Sequence, residues 1–378
     1  MTFKIAPPFH ADHVGSLLRP AGLTAAHRLL REANLSATEF ASAQESAIRE
    51  VVKLQEQVGL ESITDGEFRR ASYWSHFVDA IEGMAVRNAL FVFRDDRGTQ
   101  QFTAPQTTAK LRRKRPISVE EFSFLKSLTR RTPKRTMPSP ATMHFWLGRS
   151  GVDRNAYPDE DEFFSDLAVI YREEIRDLAA AGARYIQIDD VPLAMLCDPA
   201  VRESVHSRGE DPEALIDRYI KLTNAALDGG PSQLTVAMHL CRGNYKGKWL
   251  SEGGYEYIAQ RLFNEVAVHA YFLEYDTSRA GDFAPLLHLP AEKVAVLGLV
   301  STKTPVLESV DALQRRVREA NKYVPLERLA ISPQCGFAST VGGNPLTIDD
   351  QKRKLDLLVR VAAPVSYTHL TLPTILRV

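Results

Sequence analysis

Short β-rich runs alternate with longer helical stretches along most of this chain of 378 residues. A capping box at Ser36 and Glu39 opens a helical pattern over residues 36–59, and a β-rich run at 61–67 follows at once. The same order recurs at 160–189, where Gly182 separates the helical pattern from the next apolar run. Strands that alternate with helices in this way indicate βαβ units and a parallel sheet.

Polar residues stand at the ends of several separate predicted strands. Further strands are predicted at 234–241, 270–276, 293–300 and 328–334. The polar groups at strand ends are Gly15, Ser16, Asp65, Glu67, Asp189, His239, Cys241, Glu274, Asp276 and Cys335. Catalytic groups in a barrel come from several strand ends, and no Gly-rich dinucleotide fingerprint follows the first strand. We therefore expect an α/β fold, a single-domain (β/α)8 TIM barrel over residues 1–364, with an extra hairpin within 88–118.

Composition excludes several classes of protein. The 47 basic residues balance 47 acidic ones, which argues against nucleic acid or an anionic membrane surface as a partner. The longest apolar runs are far shorter than the roughly 18 residues of a membrane span. Three cysteines make no disulfide framework, and residues 1–8 lack the pattern of a secretory signal. We expect a cytoplasmic protein that acts on small molecules; the sequence predicts no oligomeric state.

The segment 94–136 is strongly basic and includes the run Lys110–Arg115. Charge runs usually face water, so one interpretation is a solvated loop or hairpin. The other interpretation is an anion-binding lid over the mouth of the barrel. The sequence leaves both open.

Residues 365–378 do not continue the helical pattern of residues 349–363. They contain no acidic residue, unlike the segment before them. We interpret them as a non-native tail and leave them out of the fold prediction.

Metal-binding residue types recur at the predicted strand ends. His239 and Cys241 are two residues apart on one strand, so their side chains share a face. Glu274 and Asp276 share a face on the next strand, and Cys335 follows a later one. Imidazole with thiolates favours zinc over magnesium or calcium. Each residue alone is as readily a core residue, and Cys197, the remaining cysteine, is expected to be buried and inert.

The chain resembles the cobalamin-independent methionine synthase family, in its C-terminal catalytic barrel, from about residue 10 to residue 363. His239-Leu-Cys241 is similar to the family's His-x-Cys zinc pair, and Pro333-Gln-Cys-Gly336 to its Pro-Asp-Cys-Gly. Glu274-Tyr-Asp-Thr-Ser-Arg279 is similar to its Glu-Thr-Ser-Arg, with Glu274 the preferred acidic ligand and Asp276 the alternative. The resemblance implies Zn²⁺ held by His239, Cys241, Glu274 and Cys335.

The resemblance also implies how substrates bind. Val14-Gly15-Ser16 is similar to the family's Ile-Gly-Ser, which implies that Gly15 and Ser16 hold the carboxylate of homocysteine. Glu67 and Asp189 lie in motifs that imply contacts with its amino group. Trp146 is implied to stack on the pterin ring of a methyl-folate, and Arg112 with Arg113 to contact the folate.

The resemblance implies an S-methyltransferase that moves a methyl group from 5-methyltetrahydrofolate, or a related donor, to homocysteine. Zinc lowers the pKa of a bound thiol, and the thiolate is the nucleophile. Lys303 stands where the family has the His that protonates the leaving group, so Lys303 is the candidate catalytic residue. The alternatives are another zinc-dependent thiol alkyltransferase, such as an epoxyalkane:coenzyme M type, a zinc hydrolase, or a barrel with structural zinc.

Overall fold

The computed structural model describes residues 7–95 and 98–367. Its strands are β1 (Ser62–Ile63), β2 (Ile81–Asp95), β3 (Gly98–Arg113), β4 (Thr132–Pro138), β5 (Tyr185–Asp190), β6 (Thr235–Leu240), β7 (Ala270–Glu274), β8 (Val294–Val300) and β9 (Leu329–Pro333). Its α-helices are α1 (Ala21–Arg31), α2 (Ala37–Gln57), α3 (Ser75–Ala80), α4 (Val119–Leu128), α5 (Thr142–Phe145), α6 (Glu160–Ala180), α7 (Pro192–Met195), α8 (Pro199–Ser207), α9 (Pro212–Leu227), α10 (Ala259–Glu265), α11 (Val310–Ala320) and α12 (Ile348–Tyr367).

A curled parallel sheet is the centre of the fold. Within the described residues it has seven strands, in the order β1-β4-β5-β6-β7-β8-β9, and every neighbouring pair is parallel. Connections that contain helices join the neighbouring strands, as parallel pairs require; between β7 and β8 these are two short 3₁₀-helices, Ser278–Ala280 and Ala284–His288. The predicted α/β fold with a parallel sheet is confirmed.

The segment before α1 lies between the two edges of this sheet. Ala11 forms a parallel bridge with Ile331 of β9. On the other side, the Ser62 hydroxyl of β1 donates a 2.6 Å hydrogen bond to Asp12 Oδ1, and Leu17 N donates to Gly66 O at 3.1 Å. The fold is therefore TIM-barrel-like, and the prediction of a (β/α)8 barrel is confirmed only to that extent, with seven strands in the parallel sheet of the described residues.

Local sequence explains the helix boundaries. The Ser36 hydroxyl accepts a hydrogen bond from Glu39 N, and the Glu39 carboxylate accepts one from Ser36 N, so the predicted capping box starts α2. Gly182 follows α6 at a φ of 98°, a left-handed conformation that glycine adopts without steric cost. The chain can therefore turn directly from α6 into β5.

The inner faces of the strands lead toward the candidate site. Tyr185, Gln187 and Asp189 alternate along β5, and all three are buried. Next to them, His239 lies on β6 opposite Asp189 in the strand register. The side chain of Lys134, on β4, is buried in the interior of the sheet, and its ammonium group donates a 3.1 Å hydrogen bond to Asp12 Oδ1. This pairing satisfies a charge that lies entirely inside the protein.

Strands β2 and β3 form a separate antiparallel hairpin. The predicted hairpin within 88–118 is confirmed, although it begins earlier, at Ile81. Two of its cations are paired with acids: Lys110 Nζ lies 2.5 Å from Glu162, and Arg112 Nη2 lies 2.7 Å from Glu82. The first part of the basic segment is thus a hairpin, as one of the two interpretations had it, and the anion-binding lid stays a prediction.

Helix α12 continues to Tyr367, beyond the predicted end of the helical pattern at residue 363. The first residues of the predicted tail thus extend this helix, and residues 368–378 lie outside the described residues. Among the described helices, none combines the length and the apolar character that crossing a bilayer requires.

Candidate metal and substrate site

A cavity of about 1170 Å³ opens where the strands of the sheet end. The strand-end residues that line it are Val14, Ser16, Glu67, Asp189, His239, Cys241 and Cys335. Helix α1 and the β2–β3 hairpin supply other parts of its wall, including Arg28 and Phe102. Most residues implied to bind metal or homocysteine therefore meet at one cavity, as expected for the carboxyl ends of barrel strands.

Three of the predicted metal ligands converge at one end of this cavity. One ligand atom from each of His239, Cys241 and Cys335 lies within 4.8 Å of the others, and the two sulfur atoms are 3.2 Å apart. Both ring nitrogens of His239 are buried and have no hydrogen-bond partner among the described residues. A buried unsatisfied imidazole beside two thiols fits a metal ion of the kind that nitrogen and sulfur ligands bind.

The two thiols share a proton unequally. The hydrogen bond between them lowers the pKa of Cys335 well below its usual range and raises the pKa of Cys241. Burial lowers the pKa of His239, but Cys335 and Asp189 raise it by more, so its net shift is upward. A lowered thiol pKa favours the thiolate, which is the form that binds metals.

Glu274, the predicted acidic ligand, lies outside this group of three. Its Oε1 accepts hydrogen bonds from Arg279 at 2.6 Å and from Lys303 at 3.2 Å, and its Oε2 accepts one from Arg242 N at 3.0 Å. Burial raises the pKa of Glu274, but the positive charges of Lys303 and Arg279 lower it by a larger amount. The net shift of the pKa is downward, so the carboxylate is ionised. Asp276, the alternative ligand, accepts a 3.1 Å hydrogen bond from Lys303 and also lies outside the group.

Lys303 is buried between these two acids. Burial lowers its pKa, but Glu274 and Asp276 raise it by more, so the net shift is upward. Within the described part of the chain, Lys303 is not among the residues that line the cavity. The structure therefore places Lys303 beside Glu274 and Asp276 rather than on the cavity, and its role as the proton donor stays a prediction.

Glu67 and Asp189 place two carboxyl groups on the same cavity. Glu67 Oε1 accepts a 2.6 Å hydrogen bond from the Thr136 hydroxyl, and Asp189 Oδ1 accepts one of 2.6 Å from Gln187. Burial and the charge of Glu67 raise the pKa of Asp189 to about 7. Glu67 Oε1 also forms an ion pair with Arg70 Nη1 at 3.2 Å, so Asp189 is the acid of the two that has no ion pair among the described residues. This acid attracts a cation such as an ammonium group.

Gly15 and Ser16 lie beside this pair. Gly15 has a φ of 125°, and a Cβ atom there would come within 2.5 Å of Thr136 Cγ2. Only glycine fits this approach to Thr136. Ser16 lines the same cavity as the two carboxyl groups.

Trp146 lines the cavity but is only 2% exposed. Its ring packs edge-on against Phe102, with centroids 5.1 Å apart, and its Nε1 has no hydrogen-bond partner among the described residues. Only a small part of the indole is therefore exposed to the cavity, and neither face of the ring is free for a substrate to stack on.

The structure does not bring Arg112 and Arg113 to the cavity. Arg112 pairs with Glu82 on the outside of the hairpin. Arg113 Nη2 donates to Glu174 at 2.6 Å and to Asp177 at 2.7 Å, which fixes the hairpin to α6. The predicted folate contact of these two arginines was based on their sequence motif, which does not show the acids that pair with them.

Several polar residues of the cavity were not predicted, among them Tyr73 and Asn244. Tyr73 follows the Glu67 motif, and its backbone N–H donates a 3.0 Å hydrogen bond to Ser339 O. Asn244, three residues after Cys241, donates from its side chain to Gly336 O at 2.7 Å and leaves its Oδ1 without a partner among the described residues. Both residues lie a few positions after a predicted site motif, and this short sequence distance could have indicated that they line the cavity.

The fold and site together define a TIM-barrel-like protein with a candidate His/Cys/Cys metal centre at its strand ends. The model of the family described as cobalamin-independent synthase, catalytic domain, matches residues 9–363. The chain belongs to that family.

Known proteins similar to this chain agree with the family. The protein YxjG of Bacillus subtilis (strain 168), named as uncharacterized, is 37% identical, with 95% of each chain covered. The methionine synthase of Pyrococcus abyssi is 28% identical, with 86% of this chain and 85% of that protein covered. The crystal structure of a putative vitamin-B12 independent methionine synthase from Listeria monocytogenes superposes with a TM-score of 0.76 at 32% identity, covering 95% of this chain and 98% of that one.

Proposed function

We propose that this protein is a zinc-dependent S-methyltransferase that makes methionine from homocysteine, with 5-methyltetrahydrofolate or a related compound as the methyl donor. The observation that carries the proposal is one cavity lined both by the metal-binding group and by the pair Glu67 and Asp189. Family membership and a relative named methionine synthase support it. A cytoplasmic location and a complete barrel, with residues 10–17 as its eighth strand, are parts of the same proposal.

His239, Cys241 and Cys335 would hold the zinc ion. Their donor atoms are one imidazole and two sulfurs, the ligand types that zinc prefers in proteins. Bound zinc would lower the pKa of a coordinated thiol, so that a nucleophilic thiolate is present near neutral pH.

Glu67 and Asp189 would bind the amino group of homocysteine. An ammonium group between the two would relieve the repulsion that raises the pKa of Asp189. Ser16 would donate its hydroxyl to the carboxylate of the same substrate. The two acids favour an amino-acid thiol over an anionic thiol such as coenzyme M, which they would repel.

The size of the cavity supports a bulky methyl donor. A volume of about 1170 Å³ exceeds the range of about 300–1,000 Å³ that is typical of pockets for drug-sized ligands. An amino-acid thiol fills a small part of it. The remainder, bounded by Phe102 and Trp146, suits a large donor with an aromatic ring better than a small epoxide.

Zinc K-edge X-ray absorption with and without homocysteine tests the proposal. We expect about two sulfur neighbours in the protein alone, from Cys241 and Cys335, and about three after homocysteine is added. An unchanged shell would favour a hydrolase or a structural metal site. Transfer of a labelled methyl group from 5-methyltetrahydrofolate would then identify the donor.

A further inference from the structure

Glu67 has a backbone conformation that is rare for a residue with a side chain. Its φ is 62°, in the left-handed region, and such a conformation costs free energy unless neighbouring groups hold it. Its N–H donates a 2.9 Å hydrogen bond to Asp65 Oδ1, and its carbonyl oxygen accepts one of 2.8 Å from Arg19 Nη2 and one of 3.1 Å from Arg70 N. These contacts fix the position from which the side chain of Glu67 lines the cavity.

The carboxylate of Glu67 keeps one oxygen for a ligand. The Thr136 hydroxyl and Arg70 Nη1 both contact Oε1, and Oε2 accepts no hydrogen bond from the described residues. Oε2 is thus the oxygen that is available to an ammonium group. Where that ammonium group lies depends on where the backbone of Glu67 is held.

Arg19 holds the Glu67 loop, residues 64–74, without touching the cavity. Arg19 is 8% exposed and is not among the described residues that line the cavity. Besides Glu67 O, its Nη2 donates to Arg70 O at 2.7 Å, and its Nη1 donates to Thr340 O at 3.0 Å. Burial lowers the pKa of Arg19 to about 10, so the guanidinium is still protonated near neutral pH. Hydrogen bonds from a cation are stronger than those between neutral groups.

Thr340 belongs to the Cys335 loop, residues 334–347, which follows β9. The two loops also share backbone hydrogen bonds, between residues 71–73 and 339–341. Arg19 therefore connects the loop that carries an amino-acid-binding acid to the loop that carries a metal ligand. The distance between the acid and the ligand depends on these contacts.

We propose that Arg19 is a positioning residue that fixes the distance between Glu67 and the metal-binding group, and so selects the chain length of the amino-acid thiol. This inference rests on the proposed function, in which the amino group binds at the two acids and the sulfur binds at the metal. Asp189 is held separately by the sheet, because it pairs in register with His239. A thiol with one methylene fewer than homocysteine would reach only one end of a site whose two ends are both held.

The test compares L-homocysteine with L-cysteine, which differ by one methylene, in calorimetric titrations of the zinc-loaded full chain. The central variant is Arg19→Met, which keeps an unbranched apolar stem and removes the donors. Arg172→Met is the matched control, because Arg172 also donates two hydrogen bonds to a backbone carbonyl, Ala225 O, and is not among the described residues that line the cavity. A loss of stability alone would lower the number of folded sites and leave the ratio of the two dissociation constants unchanged.

We expect the unchanged protein and Arg172→Met to bind homocysteine at least about tenfold more tightly than cysteine, since one methylene in a fitted site is worth a factor of about 10–200. In Arg19→Met this preference should fall below about threefold, mainly through weaker binding of homocysteine. Glu67→Gln should also lower the preference. Adding Arg19→Met to Glu67→Gln should lower it no further, because Arg19 acts through Glu67.

An unchanged preference in Arg19→Met, beside a clear preference for homocysteine in the unchanged protein, would overturn the inference and leave the proposed function standing. A further fall in the double variant, beyond that of Glu67→Gln, would also overturn it. If the unchanged protein does not bind homocysteine, the proposed function fails and the inference fails with it.

If Arg19→Met does not fold, Arg19→Lys takes its place in the test. Lysine keeps the positive charge but has one nitrogen, whereas Arg19 donates from both Nη1 and Nη2. A lower preference for homocysteine in this variant supports the inference, and an unchanged preference overturns it.

Discussion

The sulfur atoms of Cys241 and Cys335 lie 3.2 Å apart, although 94 residues separate them in the sequence. They meet because β6 and β9 end on the same side of the curled sheet: Cys241 directly follows β6, and Cys335 comes two residues after the end of β9. The metal-binding group is thus a product of the fold as a whole. Its integrity depends on the registers of β6, β7, β8 and β9 together.

Replacing Cys335 by serine should remove most of the bound zinc, because a serine hydroxyl is a poor substitute for a thiolate. We expect the zinc content, measured by elemental analysis, to fall from about one ion to below about 0.2 per chain. Cys197→Ser is the control: its sulfur is buried and donates to Leu193 O, away from the metal-binding group. Full zinc content in the Cys335 variant would remove this residue from the ligand set.

Asp189→Asn should weaken homocysteine binding at least about tenfold, because a charge that pairs with the ammonium group is lost. Calorimetric titration of the zinc-loaded protein measures the change. Asp161→Asn, at an exposed acid of α6, provides the control. Unchanged affinity would make Asp189 a structural residue.

The same Asp189→Asn variant should be more stable than the unchanged protein, and the gain should depend on pH. The pKa of Asp189 is raised to about 7 in the folded chain, so the unfolded chain ionises first, and folding stability falls as the pH rises toward 7. The penalty is complete above pH 7 and absent below the ordinary pKa of 3.8. We expect a gain of about 1–3 kcal/mol at pH 8 in urea unfolding, and a smaller gain at pH 5. Equal gains at both values would contradict this origin.

Gly15→Ala should destabilise the protein by about 1–3 kcal/mol, since the new Cβ would have to displace Thr136 and adopt an unfavourable φ. Gly22→Ala in α1 is a matched control, because no atom lies within 4 Å of its added Cβ. Thermal unfolding compares the two. A Gly15 variant as stable as the Gly22 variant would show that the loop relaxes freely.

Arg113→Met should lower the free energy of unfolding by about 3–5 kcal/mol, because it leaves the buried Glu174 without its main cation. Arg112→Ala, at an exposed pair, should cost less than about 1 kcal/mol. Neither change should alter the Michaelis constant for the methyl donor. An increase of the Michaelis constant for the methyl donor in either variant, with no change in that for homocysteine, would support the folate contact that the sequence predicted.

Much of the fold could be predicted because its determinants are local. The capping box of α2 and the glycine after α6 lie within a few residues of the boundaries they set. Helix α12 ends at Tyr367, whereas the sequence pattern predicted its end at residue 363. The hydrophobic pattern stops before the helical backbone hydrogen bonds do. The contact of Ala11 with Ile331 was beyond sequence reasoning, since it joins opposite ends of the chain.

The candidate site was predicted where spacing within one strand decided the geometry, as for His239 and Cys241. The ion pairs that join distant parts of the chain could not be predicted. Lys303 pairs with Glu274 at the end of β7 and with Asp276 just after it, and its predicted catalytic role stays a prediction. A sequence shows that a cation is present, whereas only the packed strands show which acid it neutralises.

The β2–β3 hairpin contributes Phe102 to the cavity but none of the metal-binding or amino-acid-binding side chains. It is also an insertion relative to the regular alternation of strands and helices. Under the proposed function, substitutions in it would reshape the space for the methyl donor while homocysteine and the metal keep their contacts. The hairpin would then be the part of this fold that can change donor preference independently of the thiol chemistry.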